Sequence, residues 1–182
     1  TLFTDVDGRF PNHHPNPVDP DTLKLLNEQV HSAGAECGIG FDGDGDRIGV
    51  IDKTGRQISG DLLTAFLSLD ILDRHKGAEI LFDVKSSSTA LDIVHRAGGK
   101  PQLWRTGHSH MKKRLKDLGA PLAGEMSGHI FIADDFYGFD DALYVACRFL
   151  SRLTHMKQER NESLADFLDR LPPSFTTPEC HI

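Results

Sequence analysis

The stretch Phe41-Asp42-Gly43-Asp44-Gly45-Asp46-Arg47 alternates three carboxylates with two glycines and ends in an arginine. Apolar residues precede and follow it, so we expect it to form the loop between two buried strands. Like charges this close repel, and one pair ~4 Å apart costs on the order of 4 kcal/mol at an effective dielectric of ~20. A hard divalent cation offsets this repulsion, because Mg²⁺ and Ca²⁺ prefer carboxylate oxygens. Asp42, Asp44 and Asp46 are therefore predicted metal ligands.

Two other interpretations of this loop compete with a metal site. A solvated hairpin turn explains one Asp-Gly pair, which is a common turn dipeptide, but it does not explain three alternating aspartates. A Ca²⁺-binding EF-hand loop needs glycine at its sixth position and glutamate at its twelfth, where this chain has Arg47 and Lys53. Mg²⁺ often takes phosphate oxygens as further ligands, and the planar fork of Arg47 matches a phosphate. The loop therefore indicates phosphoryl chemistry.

Length and composition restrict the class of protein. The 182 residues suffice for one domain, or for one domain and part of another. The net charge of −7 and the absence of a basic run argue against a nucleic-acid partner. No apolar stretch reaches membrane-spanning length and no signal peptide is visible, so we expect no membrane partner. Three widely spaced cysteines (Cys37, Cys147 and Cys180) form neither a disulfide framework nor a zinc site, which predicts a cytoplasmic protein.

The order of the predicted elements gives the fold class. Strands alternate with helices in the second part of the chain, a pattern typical of an α/β fold with a mixed, largely parallel sheet and flanking helices. We place a boundary before the long apolar helix predicted over about Gly60–His75. Residues 1–56 then form part of one domain, and residues 57–170 form a complete one. The proline-rich residues 171–182 are predicted to be a linker.

Two boundaries inside the second unit follow from turn and cap residues. The glycine-containing stretch 123–129 is predicted to be a loop before the strand Ile130-Phe131-Ile132. Asp140 is predicted to cap a helix that ends near Leu153, because aspartate is a favoured N-cap residue.

Polar residues of potential interest follow the predicted strands. In open α/β sheets, ligands collect at the carboxyl ends of the strands. Lys85 follows one strand, His108 follows the next, and Glu125, Ser127 and His129 lie in the glycine-flanked loop. Three of them have an ordinary explanation: Lys85 as a solvated lysine, His108 as a helix-capping histidine and Glu125 as a glutamate paired with a basic residue. Their shared placement favours a binding face.

At this point the sequence resembles a known family, the α-D-phosphohexomutases. The acidic loop resembles the metal loop of that family, and Gly124-Glu125-Met126-Ser127-Gly128-His129 resembles its sugar-recognition loop. Further matching segments run over essentially the whole chain in the order of the family: Phe10–Pro15, Asp83-Val84-Lys85, Thr106–Ser109 and Phe139–Ala142. The Glu-Met-Ser-Gly-His form is most similar to the bacterial phosphomannomutase/phosphoglucomutase branch.

The resemblance implies a place for this chain in a four-domain enzyme. Residues 1–56 correspond to the later part of the second, metal-carrying domain, and residues 57–170 to the third, sugar-binding domain. Residues 171–182 lead towards a fourth domain. The catalytic serine motif of the first domain does not occur in this sequence. We therefore expect this chain to be a fragment that is inactive alone and has the N- and C-terminal domains of its parent as partners.

The resemblance also implies a reaction and a role for each candidate residue. The parent enzyme would interconvert hexose 1-phosphate and hexose 6-phosphate, of glucose or mannose, through a phosphoserine and a 1,6-bisphosphate intermediate. Mg²⁺ would be the cofactor, and these hexose phosphates the ligands. The implied roles are metal binding for Asp42, Asp44 and Asp46, phosphate contact for Arg47, electrostatic or proton-transfer work for Lys85, proton transfer for His129, and sugar contacts for His108, Glu125 and Ser127.

Two alternatives stay open from the sequence. Asp5-Val6-Asp7-Gly8 resembles the paired aspartates of haloacid-dehalogenase-type phosphatases, with Asp5 as nucleophile and Asp7 as acid/base. That site needs a buried strand before it, and Thr1–Thr4 is short for one. A free-standing, non-catalytic module that binds metal and sugar phosphate is the second alternative. A glucosamine-phosphate substrate also stays open.

Overall fold

Two β-sheets and six α-helices make up the computed structural model, which describes residues 1–173. The first sheet is an antiparallel meander, and the second is a four-stranded sheet in the order β5-β4-β6-β7. The strands are β1 (Cys37–Phe41), β2 (Ile48–Asp52), β3 (Gln57–Ile58), β4 (Glu79–Asp83), β5 (Lys100–Trp104), β6 (Leu122–Gly124) and β7 (Ile130–Ile132). The pairs β4–β5 and β4–β6 are parallel, and β6–β7 is antiparallel. The predicted fold class, a mixed and largely parallel sheet with flanking helices, is confirmed.

The helices follow the apolar periodicity and caps of the sequence. A 3-10 turn, Pro20–Leu23, leads into the first of them. They are α1 (Lys24–Ala33), α2 (Gly60–Arg74), α3 (Ser88–Arg96), α4 (His108–Leu118), α5 (Ala142–Arg160) and α6 (Leu164–Asp169). Among these described helices, none combines the length and the apolar character that a membrane span requires. The predicted linker 171–182 lies mostly outside the described residues.

Two local predictions were wrong, and tertiary contacts explain both. Residues 123 and 124 were expected in a loop but belong to β6; Gly124 fits there because a Cβ would lie 1.8 Å from Oγ1 of Thr64 on α2. The cap of α5 is Asp141, whose Oδ1 accepts a hydrogen bond from the Tyr144 N–H at 2.9 Å. Asp140 is instead engaged by Lys112, and α5 continues past Leu153 to Arg160.

One apolar core joins the two sheets. All five residues of β2 are buried, and its Val50 packs in the same cluster as Phe66 of α2 and Phe149 of α5. Helix α2 is buried along most of its length, as its nearly continuous apolar sequence predicts. Helix α1 covers the other face of the first sheet through Val30, which packs with Ile51. Residues 1–56 therefore share a core with the rest of the described chain, and the boundary near residue 57 stays a prediction.

A buried carboxylate ties three elements of the fold together. Asp134, in the turn after β7, accepts hydrogen bonds from Arg74 at the end of α2 and from Nη2 of Arg148 on α5 at 2.7 Å. Its side chain is 3% exposed. Burial alone would raise the pKa of Asp134, but the two guanidinium groups outweigh it and lower the pKa to about 2.

The Asp134 cluster predicts an acid-sensitive contribution to stability. A lowered carboxyl pKa stabilises the fold above the usual aspartate pKa, and the contribution is lost as pH falls from about 4 through about 2. The shift corresponds to about 2 kcal/mol. Asp134→Asn should therefore lower the free energy of unfolding by at least about 2 kcal/mol at pH 7. Urea unfolding at several pH values should show this difference shrinking below pH 4.

A neighbouring aspartate supplies the matched control. Asp135 has an 87% exposed side chain and lies 3.7 Å from Arg74, so Asp135→Asn should change the free energy of unfolding by less than about 0.5 kcal/mol. A difference for Asp134→Asn that stays constant from pH 7 to pH 2 would contradict the ionic account.

The start of α2 touches the loop after β6 so closely that only glycine fits. A Cβ on Gly60 would lie 2.2 Å from the backbone oxygen of Glu125. Gly60→Ala should lower the free energy of unfolding by about 1–3 kcal/mol, since the backbone must shift. Helix propensity alone would favour alanine by about 1 kcal/mol, so the sign of the change separates the two effects.

The control for this clash is Gly8→Ala, where a Cβ would meet nothing within 4 Å. That change should stay within about 0.5 kcal/mol in the same urea titration. A Gly60→Ala chain at least as stable as the wild type would contradict the described contact.

Candidate functional site

The acidic loop is the tip of the hairpin between β1 and β2. Phe41 pairs with Ile48 in the strand register, and the Asp42 N–H donates to the Arg47 carbonyl oxygen at 3.3 Å. Gly45 has a φ of +75°, a conformation that glycine adopts without strain, and this turns the chain tightly. One carboxylate oxygen from each of Asp42, Asp44 and Asp46 lies within 4.8 Å of the others. The sequence prediction that the three carboxylates converge agrees with this geometry.

Asp42 holds the loop in this shape. Its Oδ1 accepts hydrogen bonds from the N–H groups of Asp46 and Arg47, both at 3.0 Å, and its Oδ2 accepts one from Nε of Arg47 at 2.7 Å. Burial would raise the pKa of Asp42, but these hydrogen bonds outweigh it and lower the pKa. Burial, followed by the interaction with Asp42, raises the pKa of Asp46. Without a cation, the charged form of Asp46 is therefore unfavourable in this loop.

The donor set of this loop fits Mg²⁺. Three carboxylates offer hard oxygen ligands, and one oxygen of each lies within 4.8 Å of the others, so a modest adjustment of the side chains would let all three reach one ion. A carboxylate has about four lone-pair sites, so Asp42 keeps capacity for a metal beside its three hydrogen bonds. Arg47 is engaged through Nε with Asp42 and through Nη1 with Asn16 at 3.5 Å. Its predicted phosphate contact would use the remaining donors of its guanidinium group.

The second candidate loop joins β6 to β7 and centres on a buried carboxylate. Glu125 is 2% exposed, and its Oε1 accepts a hydrogen bond from the Gly107 N–H at 2.6 Å. Its Oε2 lies 3.2 Å from Nδ1 of His129 and 3.4 Å from Oγ of Ser127. Glu125 therefore connects its own loop to the loop that precedes α4, a contact that the sequence did not predict.

Glu125 and His129 favour each other's charged forms. Burial would raise the pKa of Glu125, but the hydrogen bonds with His129 and the Gly107 N–H lower it. Burial would lower the pKa of His129, but Glu125 and Asp46 outweigh that effect and raise it. The pKa of the acid is lowered and the pKa of the base is raised, as expected for an ion pair. The contacts of His129 with Glu125 and Asp46 therefore favour its protonated form.

The acidic loop and the Glu125 loop are joined directly. Arg47 and His129 form an antiparallel β-bridge, and the Ile48 N–H donates to the Gly128 carbonyl oxygen at 3.1 Å. Oδ2 of Asp46 lies 3.4 Å from Nε2 of His129. The Ala142 N–H donates to the Gly45 carbonyl oxygen at 3.0 Å, which attaches the start of α5 as well. The predicted metal ligands and the predicted sugar loop thus form one continuous surface.

The remaining candidates lie along the same edge of the sheet. His108 begins α4 after Gly107, and its ring stacks on that of His129 with centroids 5.9 Å apart. Lys85 follows β4 with an exposed side chain, and Asp83 at the end of that strand accepts a hydrogen bond from Oγ1 of Thr106 at 3.2 Å. This hydrogen bond connects the end of β4, which precedes Lys85, to the loop that precedes His108. The individual roles of these residues stay predictions.

Two aspartates near the site had no predicted part in it: Asp83 was assigned no role of its own from the sequence, and Asp140 only that of a helix cap. Asp83 is fully buried, and burial raises its pKa. Asp140 brings a carboxylate oxygen within 4.8 Å of ligand atoms of Asp46 and His129. The sequence did contain a signal for Asp140. Two adjacent aspartates precede α5 and only one of them, Asp141, caps the helix, which leaves Asp140 available for another contact.

The phosphatase alternative finds no support in this geometry. Asp5 and Asp7 lie in an irregular segment with no strand before them, and Val6 between them is fully exposed. Asp7 pairs with Arg9 through Nη2 at 2.6 Å. A buried nucleophile at the end of a strand is absent from this described segment.

Comparisons with known proteins agree with the resemblance in the sequence. Residues 59–175 match the family model described as "Phosphoglucomutase/phosphomannomutase, alpha/beta/alpha domain III", and residues 1–55 match its domain II counterpart. Proteins named phosphomannomutase/phosphoglucomutase from Pseudomonas putida and Pseudomonas aeruginosa are 46% and 43% identical over 181 residues. The matches cover 100% of this chain and 38% of each relative.

A solved structure gives the same result. The phosphoglucomutase/phosphomannomutase family protein from Burkholderia thailandensis superposes with a TM-score of 0.90 at 44% identity, over 97% of this chain and 38% of that chain. This chain therefore spans about 38% of the length of the relatives that it matches. From the matched family models, the relatives and the shared fold, we conclude that this chain belongs to the phosphoglucomutase/phosphomannomutase family.

Proposed function

We propose that this chain supplies the metal loop and the sugar-recognition loop of an enzyme that interconverts hexose 1-phosphate and hexose 6-phosphate. Glucose and mannose phosphates are the proposed substrates, and a phosphoserine outside this chain is the proposed phosphate carrier. The observation that carries the proposal is the contact between the two loops, in which Asp46 and His129 lie 3.4 Å apart. Ligands for a hard cation thereby adjoin groups that bind hydroxyls and move protons.

The acidic loop is the proposed Mg²⁺ site. Asp42, Asp44 and Asp46 would hold the ion, which when bound supplies positive charge against the charge of a phosphoryl group in transfer. Arg47 keeps Asp42 in place through its Nε and would direct its other N–H groups to phosphate oxygens. These residues thus position a phosphate beside the sugar loop.

The sugar loop has two proposed tasks. Ser127 offers a hydroxyl, and the exposed ring of His108 offers a nitrogen, for hydrogen bonds to the hexose. Glu125 would add an acceptor for a sugar hydroxyl while it orients His129 through the 3.2 Å contact. When the bond between the phosphoryl group and the sugar oxygen breaks and the group passes to the serine, His129, whose pKa is raised, would donate a proton to the released sugar oxygen. In the reverse direction it would accept that proton from the attacking sugar hydroxyl.

Lys85 completes the set at the end of β4. Its ammonium group would stabilise the charge on the transferring phosphoryl group or move a proton beside it. The support for this role is its position at the same sheet edge as His108 and Glu125. We propose the cytoplasm as the location. We do not favour the free-standing binding module, because the relatives that match the whole chain are named as mutases.

A metal-binding measurement tests the role of the acidic loop in this chain. Asp44 is exposed, whereas Asp42 holds the loop through three hydrogen bonds, so Asp44→Asn removes a ligand charge and leaves those bonds intact. Titration with Mn²⁺, followed by electron paramagnetic resonance, should show one site in the wild type and binding weaker by at least about tenfold in the variant.

The control for the metal titration carries the same change in charge. Asp117→Asn removes an exposed carboxylate that pairs only with Lys113 in the described contacts, and Mn²⁺ affinity should stay within about twofold. Equal loss in both variants would mean that Mn²⁺ responds to net charge alone, which would contradict the site.

A coupled assay for conversion of glucose 1-phosphate to glucose 6-phosphate tests the reaction. The 182-residue chain alone should show no turnover, because the proposed phosphoserine lies outside it. The complete protein should turn over, and Asp44→Asn in it should lower kcat by at least about a hundredfold. Turnover by the highly purified chain that Asp44→Asn abolishes would contradict the proposed division of labour.

A further inference from the structure

Asp140 is a buried carboxylate with one oxygen that no described group satisfies. Its backbone forms an antiparallel bridge with Phe131 of β7, and its side chain is 7% exposed. Its Oδ1 accepts a hydrogen bond from Nζ of Lys112 at 2.9 Å. Its Oδ2 is buried and has no hydrogen-bond partner among the described residues. An unsatisfied buried acceptor of this kind is costly, so its presence calls for a donor.

His108 can provide that donor. Its Nδ1 lies 3.7 Å from Oδ2 of Asp140, just beyond hydrogen-bond length. The His108 side chain is 55% exposed, so its ring has room to turn, whereas Asp140 is fixed by the bridge to Phe131 and by Lys112. A small rotation of the ring brings an Nδ1–H onto the carboxylate oxygen.

We propose that Asp140 is a positioning residue that holds His108 as the Nδ1–H tautomer. The carboxylate accepts the Nδ1 proton, so Nε2 at the other end of the ring keeps its lone pair and acts as an acceptor. His108 then accepts a hydrogen bond from a hydroxyl of the hexose through Nε2. This last step rests on the proposed function, which places His108 at the sugar site; the tautomer itself does not depend on it.

The salt bridge with Lys112 does not explain the placement of Asp140. Lys112 contacts only Oδ1, and its side chain is 34% exposed. The same salt bridge could form with the carboxylate of Asp140 nearer to solvent, so it does not require burial of that carboxylate. Asp140 is instead turned inward, with an oxygen within 4.8 Å of ligand atoms of Asp46 and His129. Since a second carboxylate close to Asp46 is unfavourable, proton donors between them are needed. The stacked rings of His108 and His129 are in place to provide them.

Asparagine at position 140 reverses the hydrogen-bond requirement. Lys112 needs an acceptor, so the amide oxygen of Asp140→Asn stays on Lys112 and the amide N–H group faces His108. His108 Nδ1 must then act as the acceptor, and the proton moves to Nε2. The variant is nearly isosteric, so it tests the tautomer with little change in packing.

The first test is nitrogen-15 NMR of the histidine rings in the 182-residue chain, at a pH where His108 is neutral. In the wild type, the His108 signals should show a protonated Nδ1 and an unprotonated Nε2. In Asp140→Asn, the two populations should reverse. A wild-type His108 that is protonated on Nε2 overturns the proposal without any variant, and so does a spectrum that Asp140→Asn leaves unchanged.

Two further variants separate positioning from simple structural support. Asp141→Asn makes the same change in charge at the next residue, and asparagine caps a helix as well as aspartate, so His108 should keep its tautomer. Lys112→Met removes the salt bridge and keeps the carboxylate, so the tautomer should again be unchanged. If Lys112→Met reverses the His108 tautomer as much as Asp140→Asn does, then Asp140 acts only as the salt-bridge partner of Lys112, and the proposal is overturned.

Kinetics in the complete protein connect the tautomer to the reaction. Asp140→Asn should lower kcat/KM for the hexose phosphate by about ten- to a hundredfold, while Asp141→Asn stays within about twofold. If the complete protein shows no mutase activity, the proposed function fails and the NMR result for Asp140 stands. If it is a mutase and Asp140→Asn acts like Asp141→Asn, the positioning role is wrong and the proposed function stands.

Discussion

Repulsion among three carboxylates in one tight turn is the constraint on which the rest of the site depends. The loop keeps Asp42, Asp44 and Asp46 together because Arg47 and two backbone N–H groups hold Asp42, and because His129 lies 3.4 Å from Asp46. Burial strengthens these attractions and the repulsion alike. Without a cation the loop keeps an excess of negative charge, and His129, which belongs to the Glu125 loop, partly compensates it. The charge balance of the acidic loop is therefore coupled to the protonation of His129, the side chain for which we propose proton transfer.

The scaffold makes that contact rigid. Strand β2 is buried along its whole length, and the Ile48 N–H at its start is bonded to the Gly128 carbonyl oxygen of the sugar loop. A Cβ on Gly60 would meet the backbone oxygen of Glu125, and a Cβ on Gly124 would meet the side chain of Thr64. Residues matched by both family models therefore share one apolar core, and β3 lies between the two matched ranges, 1–55 and 59–175. Preorganisation of this kind suits a site that must stabilise charge.

Local chemistry made part of this structure predictable. The acidic loop was found because alternating charges and glycines are visible in a short window of sequence. The Glu125 loop was found because glycines flank its polar residues, and α2 because its sequence is apolar nearly all round. Strand β6 was missed because its place depends on Thr64 packing against Gly124, a contact 60 residues away in sequence. The choice of Asp141 over Asp140 as the cap depends on Lys112 in the same way. The hydrogen bond from the Gly107 N–H to Glu125 likewise could not be predicted from composition or spacing, because it joins two loops that are far apart in sequence.

The central claim is that metal loop and sugar loop form one site around the contact between Asp46 and His129. Paramagnetic broadening by Mn²⁺ of the histidine ring signals in this chain tests it most directly. The ring of His129 should broaden at the lowest Mn²⁺ ratio, before those of His95 on α3 and His155 on α5, and Asp44→Asn should remove the effect. Broadening that begins at other histidines, or that persists in Asp44→Asn, would contradict the account.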